Sequence, residues 1–165
     1  MIKLENVDKI FKARHNQVTA LKSINININE GEFLVIRGPS GTGKSTLLMT
    51  IGGMLQVTSG NVFINGINIY QLSKKSRAAF RAENIGFVFQ MFHLIPYLDV
   101  GENVLLASRN VKKKLVNRLD VQKLLARFNL ANRENHKPAE LSAGELQRTA
   151  VARAFFSQPK IILAD

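Results

Sequence analysis

The residues Gly38-Pro39-Ser40-Gly41-Thr42-Gly43-Lys44-Ser45-Thr46 follow the pattern G-x-x-x-x-G-K-[ST]. Each residue type at that spacing has a task in holding phosphate. Glycines let backbone N–H groups turn inward and come close to anionic oxygens. A helix that starts at the end of such a loop aims its positive end at the same anion. Lys44 has the reach and charge for β- and γ-phosphates, and the Ser45 hydroxyl suits the shell of a Mg²⁺ ion. The bland alternative is a chance glycine turn. With glycine near 7% of ordinary residues, a match somewhere in a chain of this length has odds on the order of 1%. The flanks lower that further, because an apolar run precedes the loop and a helical pattern follows it. The motif specifies nucleotide phosphate and leaves the reaction open.

Other polar residues stand where a phosphate or its metal could use them. Leu141-Ser142-Ala143-Gly144-Glu145 opens a helix, with Ser142 and Glu145 spaced as a capping box. Alone, this is an ordinary helix start. Gln90 closes the apolar run Ile85-Gly86-Phe87-Val88-Phe89, and Asp165 closes Ile161-Ile162-Leu163-Ala164. Alone, each is a polar residue at a strand end.

The hydrophobic pattern predicts the elements that must position these groups. Residues 2–7 alternate apolar and polar, as in a strand, and Ile24, Ile26 and Ile28 alternate with Asn25, Asn27 and Asn29 as in a second. Glu30-Gly31 marks a turn. Phe33-Leu34-Val35-Ile36 reads as a strand covered on both faces. Leu47, Leu48 and Ile51 then fall at helical spacing. Residues 60–70 predict a strand pair about Asn65-Gly66, and 85–89 a second buried strand. From about 99 to 130 the pattern is helical, through Val104, Leu105, Leu115, Leu119, Leu124, Leu125 and Phe128. A helix from about 142 to 157 carries Leu146, Ala150 and Ala154 on one face. Gln158-Pro159 ends it, and 160–164 is a third apolar strand. The order predicts a mixed α/β layer architecture.

Bulk properties narrow the class. The chain has 165 residues, 45% of them apolar, which suits one domain with a core and argues against disorder. No stretch approaches the roughly 20 apolar residues of a membrane span, and the first residues lack a signal-peptide core. The absence of cysteine excludes disulfides and Cys-ligated zinc. The net charge of +11 admits a nucleic-acid or acidic-membrane partner. The basic residues are dispersed, however, and the tight run Lys112-Lys113-Lys114 has no aromatics interleaved. A solvated surface is the better reading.

Taken together, the phosphate loop, the Leu141–Glu145 helix start and the apolar strand ending in Asp165 resemble the ATP-binding cassette (ABC) family. The resemblance runs the length of the chain. It implies an α/β fold: a P-loop NTPase core with an N-terminal antiparallel β subdomain and a helical insert. It divides the single domain 1–165 into a β subdomain and phosphate-loop core over about 1–90, a helical insert with the signature helix over about 91–157, and the Walker B strand over 158–165. It implies ATP and Mg²⁺ as ligands. Residues 38–46 would cradle the phosphates, with Lys44 catalytic, and Phe11 would stack on adenine. Ser142, Ala143, Gly144 and Glu145 would bind the nucleotide of a second subunit in a head-to-tail homodimer. Gln90 would be the Q-loop glutamine, catalytic and metal-bound, with Ser45 and Asp165 also serving the metal. Ala143 and Glu145 depart from the family's L-S-G-G-Q. The block Ile85–Val104 resembles the bacterial group serving lipoprotein release and macrolide efflux. His15, His93 and His136 match nothing catalytic. The expected function is the ATPase subunit of a transporter, peripheral on the cytoplasmic face of the inner membrane and bound to permease subunits, with nucleic acid unfavoured as a partner. A soluble ABC ATPase acting on nucleic acid or ribosomes, or a non-catalytic nucleotide-gated module, stays open at this point. The family's water-polarising glutamate, D-loop and switch histidine follow the Walker B aspartate, so residues 1–165 alone are expected to be inactive.

Overall fold

The computed structural model describes residues 1–12, 16–108 and 118–165. His15, Lys112–Lys114 and Leu115 lie outside the described residues. The chain divides into two compact units, Met1–Ala78 and Ala79–Asp165.

In the first unit an antiparallel sheet has the order β2-β1-β3-β4. Strand β1 spans Ile2–Lys12, β2 Gln17–Ile28, β3 Ser59–Ile64 and β4 Ile67–Asn68. Ile2 and Leu4 are buried in strict alternation, and the next buried residue of β1 is Val7. The extra residue comes from a register shift between Leu4 and Val7, where Asn6 takes a left-handed φ of 47°. Such a bulge shifts the inward face by one residue. Asn65 and Gly66 are both left-handed, as a tight hairpin turn between β3 and β4 requires. Helix α1 (Lys44–Ile51) buries Leu47, Thr50 and Ile51.

The predicted strand at 33–36 is not formed. A strand exists only where a neighbour completes its hydrogen bonds, and none of the described strands pairs with this segment. Phe33 is 93% exposed, and Leu34 and Val35 are exposed as well. An apolar run reports the wish to be covered; it does not name the partner.

Helix α2 (Lys74–Asn84), absent from the sequence reading, has no buried residue and leads into the second unit. There β5 (Ile85–Val88) pairs in parallel with β6 (Ile161–Ala164). Helices α3 (Val100–Leu105), α4 (Arg118–Arg127) and α5 (Ala143–Phe156) build the helical part. Its core joins Val100, Val104, Val121, Leu125, Leu130, Ala152 and Phe156. Leu119, counted in the apolar pattern, points outward and is 61% exposed. Helix α5 ends where Gln158 turns left-handed, at φ 53°, before Pro159. A Cβ on Gly86 would sit 2.3 Å from the carbonyl oxygen of Ala154, so β5 and α5 meet backbone to backbone.

Candidate functional site

In the first unit the phosphate loop leads directly into α1. Gly41 and Gly43 have φ of 80° and 91°, a conformation that glycine adopts without the Cβ penalty. Gly43 is also held close to β2, since a Cβ there would lie 2.3 Å from the carbonyl oxygen of Ala20. Gly43 is the N-cap of α1, and no side chain caps that end, so its N–H groups are left to the loop. The Lys44 ammonium curls back over the loop and donates to the carbonyls of Gly38 at 2.9 Å and Pro39 at 2.7 Å. Thr42 Oγ1 donates to the same Pro39 carbonyl at 2.9 Å. Ser45 and Thr46 stand in the first turn of the helix. Phe11, on β1 opposite Val18, is 43% exposed, with the Lys9 ammonium 5.0 Å from its ring centre. Its ring is therefore not a core ring.

In the second unit Gln90 and Asp165 both follow the carboxyl ends of a parallel strand pair, at the same end of the sheet. Asp165 extends the ladder beyond β6, its N–H donating to the Val88 carbonyl at 3.0 Å. Gln90 is exposed, two residues past Val88 and within the turn that Phe92 N–H closes on the Phe89 carbonyl at 2.9 Å. Phe87 stacks on Phe89 with centroids 4.3 Å apart, and His93 lies tilted against Phe89 at 4.7 Å. The carboxyl ends of parallel strands are where α/β folds present ligand-binding groups.

The same unit carries the Leu141–Glu145 segment. Ser142 is the N-cap of α5 with both capping-box bonds present. Ala143 is the first helical residue and is not among the left-handed positions, so alanine fits there without strain. A Cβ on Gly144 would meet only the flexible Arg148 Nη1, at 3.3 Å, so the fold itself does not demand glycine there. Glu145 Oε2 accepts from Ser142 N and Oγ, each at 2.8 Å, and Oε1 accepts from Arg133 Nε at 2.7 Å. The Arg133 bond, then those of Ser142, hold the Glu145 carboxyl down at about 2. His136 Nε2 lies 3.4 Å from Arg133 Nη1.

Sequence reading missed Arg133, Arg153 and Asn103. Asn103 is fully buried; its Oδ1 accepts from Ile95 N, and its Nδ2 donates to the Ile95, Leu98 and Asp99 carbonyls, which staples the loop after Gln90. Arg153 reaches the Phe92 and His93 carbonyls, and burial lowers its guanidinium below its ordinary value. Only the periodic patterns are local in sequence; these contacts bridge up to 61 residues.

A glycine loop opening a helix, with a capped helix start and an aspartate at the end of a parallel strand, defines a P-loop ATPase cassette. A family model described as ABC transporter matches residues 21–165, and the chain belongs to that family. It is 43% identical to an ABC transporter ATP-binding protein of Methanocaldococcus jannaschii, over 100% of this chain and 72% of the relative. It is 41% identical to a putative hemin import ATP-binding protein of Staphylococcus haemolyticus, over 99% of this chain and 74% of that one. It is 43% identical to the lipoprotein-releasing system ATP-binding protein of Bacteroides thetaiotaomicron, over 100% of this chain and 74% of that one. One chain of the solved dimer of the ATP-binding cassette MJ0796, in a post-hydrolysis state bound to ADP and phosphate, superposes with a TM-score of 0.94 at 43% identity; the match covers 100% of this chain and 73% of that one. The chain is thus an ATP-binding, ATPase-type subunit of a transporter, shorter than its relatives. Among the described residues no helix is long and apolar enough to cross a membrane.

Proposed function

We propose that the chain couples Mg²⁺-dependent ATP binding and hydrolysis to movement of a membrane permease, as one of two cassettes arranged head to tail on the cytoplasmic face of the inner membrane. The observation that carries this reading is the start of α5. Ser142, Ala143 and Gly144 stand exposed at the positive end of a helix of 14 residues, and Gly144 has no steric reason to be glycine. An exposed helix start with a hydroxyl and room for close approach suits an oxyanion brought by a second molecule.

The roles follow from the groups. The backbone of 38–46 cradles phosphates, and Lys44 exchanges its two carbonyl bonds for phosphate oxygens. Ser45 and Gln90 offer neutral oxygens and Asp165 a charged one to Mg²⁺, a donor set of the hard kind that ion prefers. The metal supplies charge neutralisation between phosphates. Phe11 offers a flat, exposed ring to the adenine. The Ser142 hydroxyl, whose proton points at Glu145, turns it toward the partner's γ-phosphate. Cargo of the lipoprotein or macrolide exporter type is favoured by the Ile85–Val104 block and by the lipoprotein-releasing relative.

The test is sedimentation with and without Mg·ATP. A monomer-to-dimer shift, and co-sedimentation with membranes bearing a cognate permease, support the reading. A nucleotide-bound protein that stays monomeric and ignores the permease sinks it.

A further inference from the structure

Arg153 stands eleven residues into α5, roughly 16 Å along the helix from its capped start. Its Nη1 donates to the His93 carbonyl at 2.6 Å and its Nη2 to the Phe92 carbonyl at 2.5 Å. The two acceptors are consecutive, and both belong to left-handed residues, with φ of 56° at Phe92 and 46° at His93. Two adjacent left-handed residues without glycine, one of them a phenylalanine, hold a conformation that costs energy and persists only when the surroundings impose it. Besides the backbone bonds of the turn itself, the guanidinium is the group that bonds both of these carbonyls. A flat fork offers two donors side by side to two carbonyls that point the same way, and an ammonium cannot match that geometry. No ion pair to Arg153 is formed among the described residues, so the side chain is spent on the loop backbone.

The loop so held is the one that carries Gln90. Gln90 sits within the turn from Phe89 to Phe92, and Arg153 grips that turn at its far end. On its near side β5 is fixed to α5 by the backbone contact of Gly86 with Ala154, the residue next to Arg153. Strand, turn and helix are therefore joined on both sides of Gln90.

We propose that Arg153 is a positioning residue: it ties the turn bearing Gln90 to the signature helix, so that where Gln90 stands follows where the helix start at Ser142 stands. Engagement of that start and placement of Gln90 are then a single displacement of one body. The inference rests on the reading of Gln90 as a magnesium ligand, and its test separates the two.

The variants are Arg153→Lys, which keeps charge and stem and loses the fork, and Gln90→Ala. Backbone hydrogen exchange in R153K should rise at Phe92 and His93 by about tenfold or more, with α5 amides away from position 153 unchanged. Affinity for ATP without magnesium should stay as in the parent chain, while the gain on adding Mg²⁺ falls about tenfold, as for loss of a partner that orients a metal ligand. The double variant should lose no more of that gain than Gln90→Ala alone. In the unsubstituted chain, the Arg153 Nη protons should be resolved by NMR and slow to exchange, which needs no variant to fold. Unchanged exchange at Phe92 and His93, rapidly averaged Nη protons, or additive losses in the double variant would overturn the proposal. If Gln90→Ala keeps the full magnesium gain, the reading of Gln90 fails, and exchange at Phe92 and His93 still decides the Arg153 tie.

Discussion

Glu145 is held from both sides: Arg133 Nε donates to one carboxylate oxygen at 2.7 Å, and the N–H and hydroxyl of Ser142 donate to the other at 2.8 Å. A glutamine could accept at only one of those oxygens, so the glutamate at this position and Arg133 form one device. The ion pair docks the segment at 131–133 onto the start of α5.

The pH dependence follows. The folded carboxyl sits at about 2, below its ordinary 4.5, because Arg133 and then Ser142 bond its charged form. The unfolded chain therefore takes up the proton first, and the stabilisation present above about 4.5 is lost as pH falls toward about 2. Denaturant unfolding of parent and Glu145→Gln across that window should show a difference that shrinks with acid. A difference flat in pH would refute the assignment.

Ser142→Ala removes the cap as well as the hydroxyl. Local stability should fall by about 1 kcal/mol, while nucleotide affinity of the monomer is kept and Mg·ATP-driven dimerisation is lost. Thermal unfolding and sedimentation read the two effects separately; a well-folded variant that still dimerises would end the trans role.

Lys44→Ala should weaken ATP binding by about ten- to hundredfold, the range for losing a charged hydrogen-bonding group. Calorimetry with an ATP analogue checks it. The variant also removes the bonds from Lys44 to the Gly38 and Pro39 carbonyls, of which Pro39 keeps that from Thr42, so dichroism should confirm that the fold survives. Parent-like affinity would remove the lysine from the site.

The two left-handed loop glycines should differ. Gly41→Ala meets open space and costs only the conformational penalty, about 1–2 kcal/mol. Gly43→Ala pays that and also drives a methyl into the Ala20 carbonyl. Its melting temperature should fall clearly further, and equal losses would mean that the approach of β2 to the loop is not as close as described.

Much of this was legible in the sequence, for reasons that also mark the limit. The phosphate loop, the Ser142 cap, the Asn65-Gly66 hairpin and the strands leading to Gln90 and Asp165 are written in neighbouring residues. Helix α2 was not, because its apolar side is only three alanines and Phe80, none of them fully buried, too slight a stripe to stand out among the charged residues. Residues 33–36 misled for the opposite reason, since an apolar run looks the same with or without a partner strand. Arg133, Arg153 and Asn103 act through contacts to residues distant in the chain or to backbone carbonyls, which no local pattern encodes.

The contact at Gly86 sets a mechanical tolerance for this part of the molecule. Any side chain there must lift α5 from β5 by on the order of 1 Å to regain ordinary van der Waals spacing. The Arg153 fork, at 2.5 and 2.6 Å, has little slack to absorb that lift. A misplacement of about 1 Å far from the chemistry can cost about a hundredfold in rate. A single methyl group at position 86, touching neither nucleotide nor metal, would thus act as a shim that throws the assembly out of alignment.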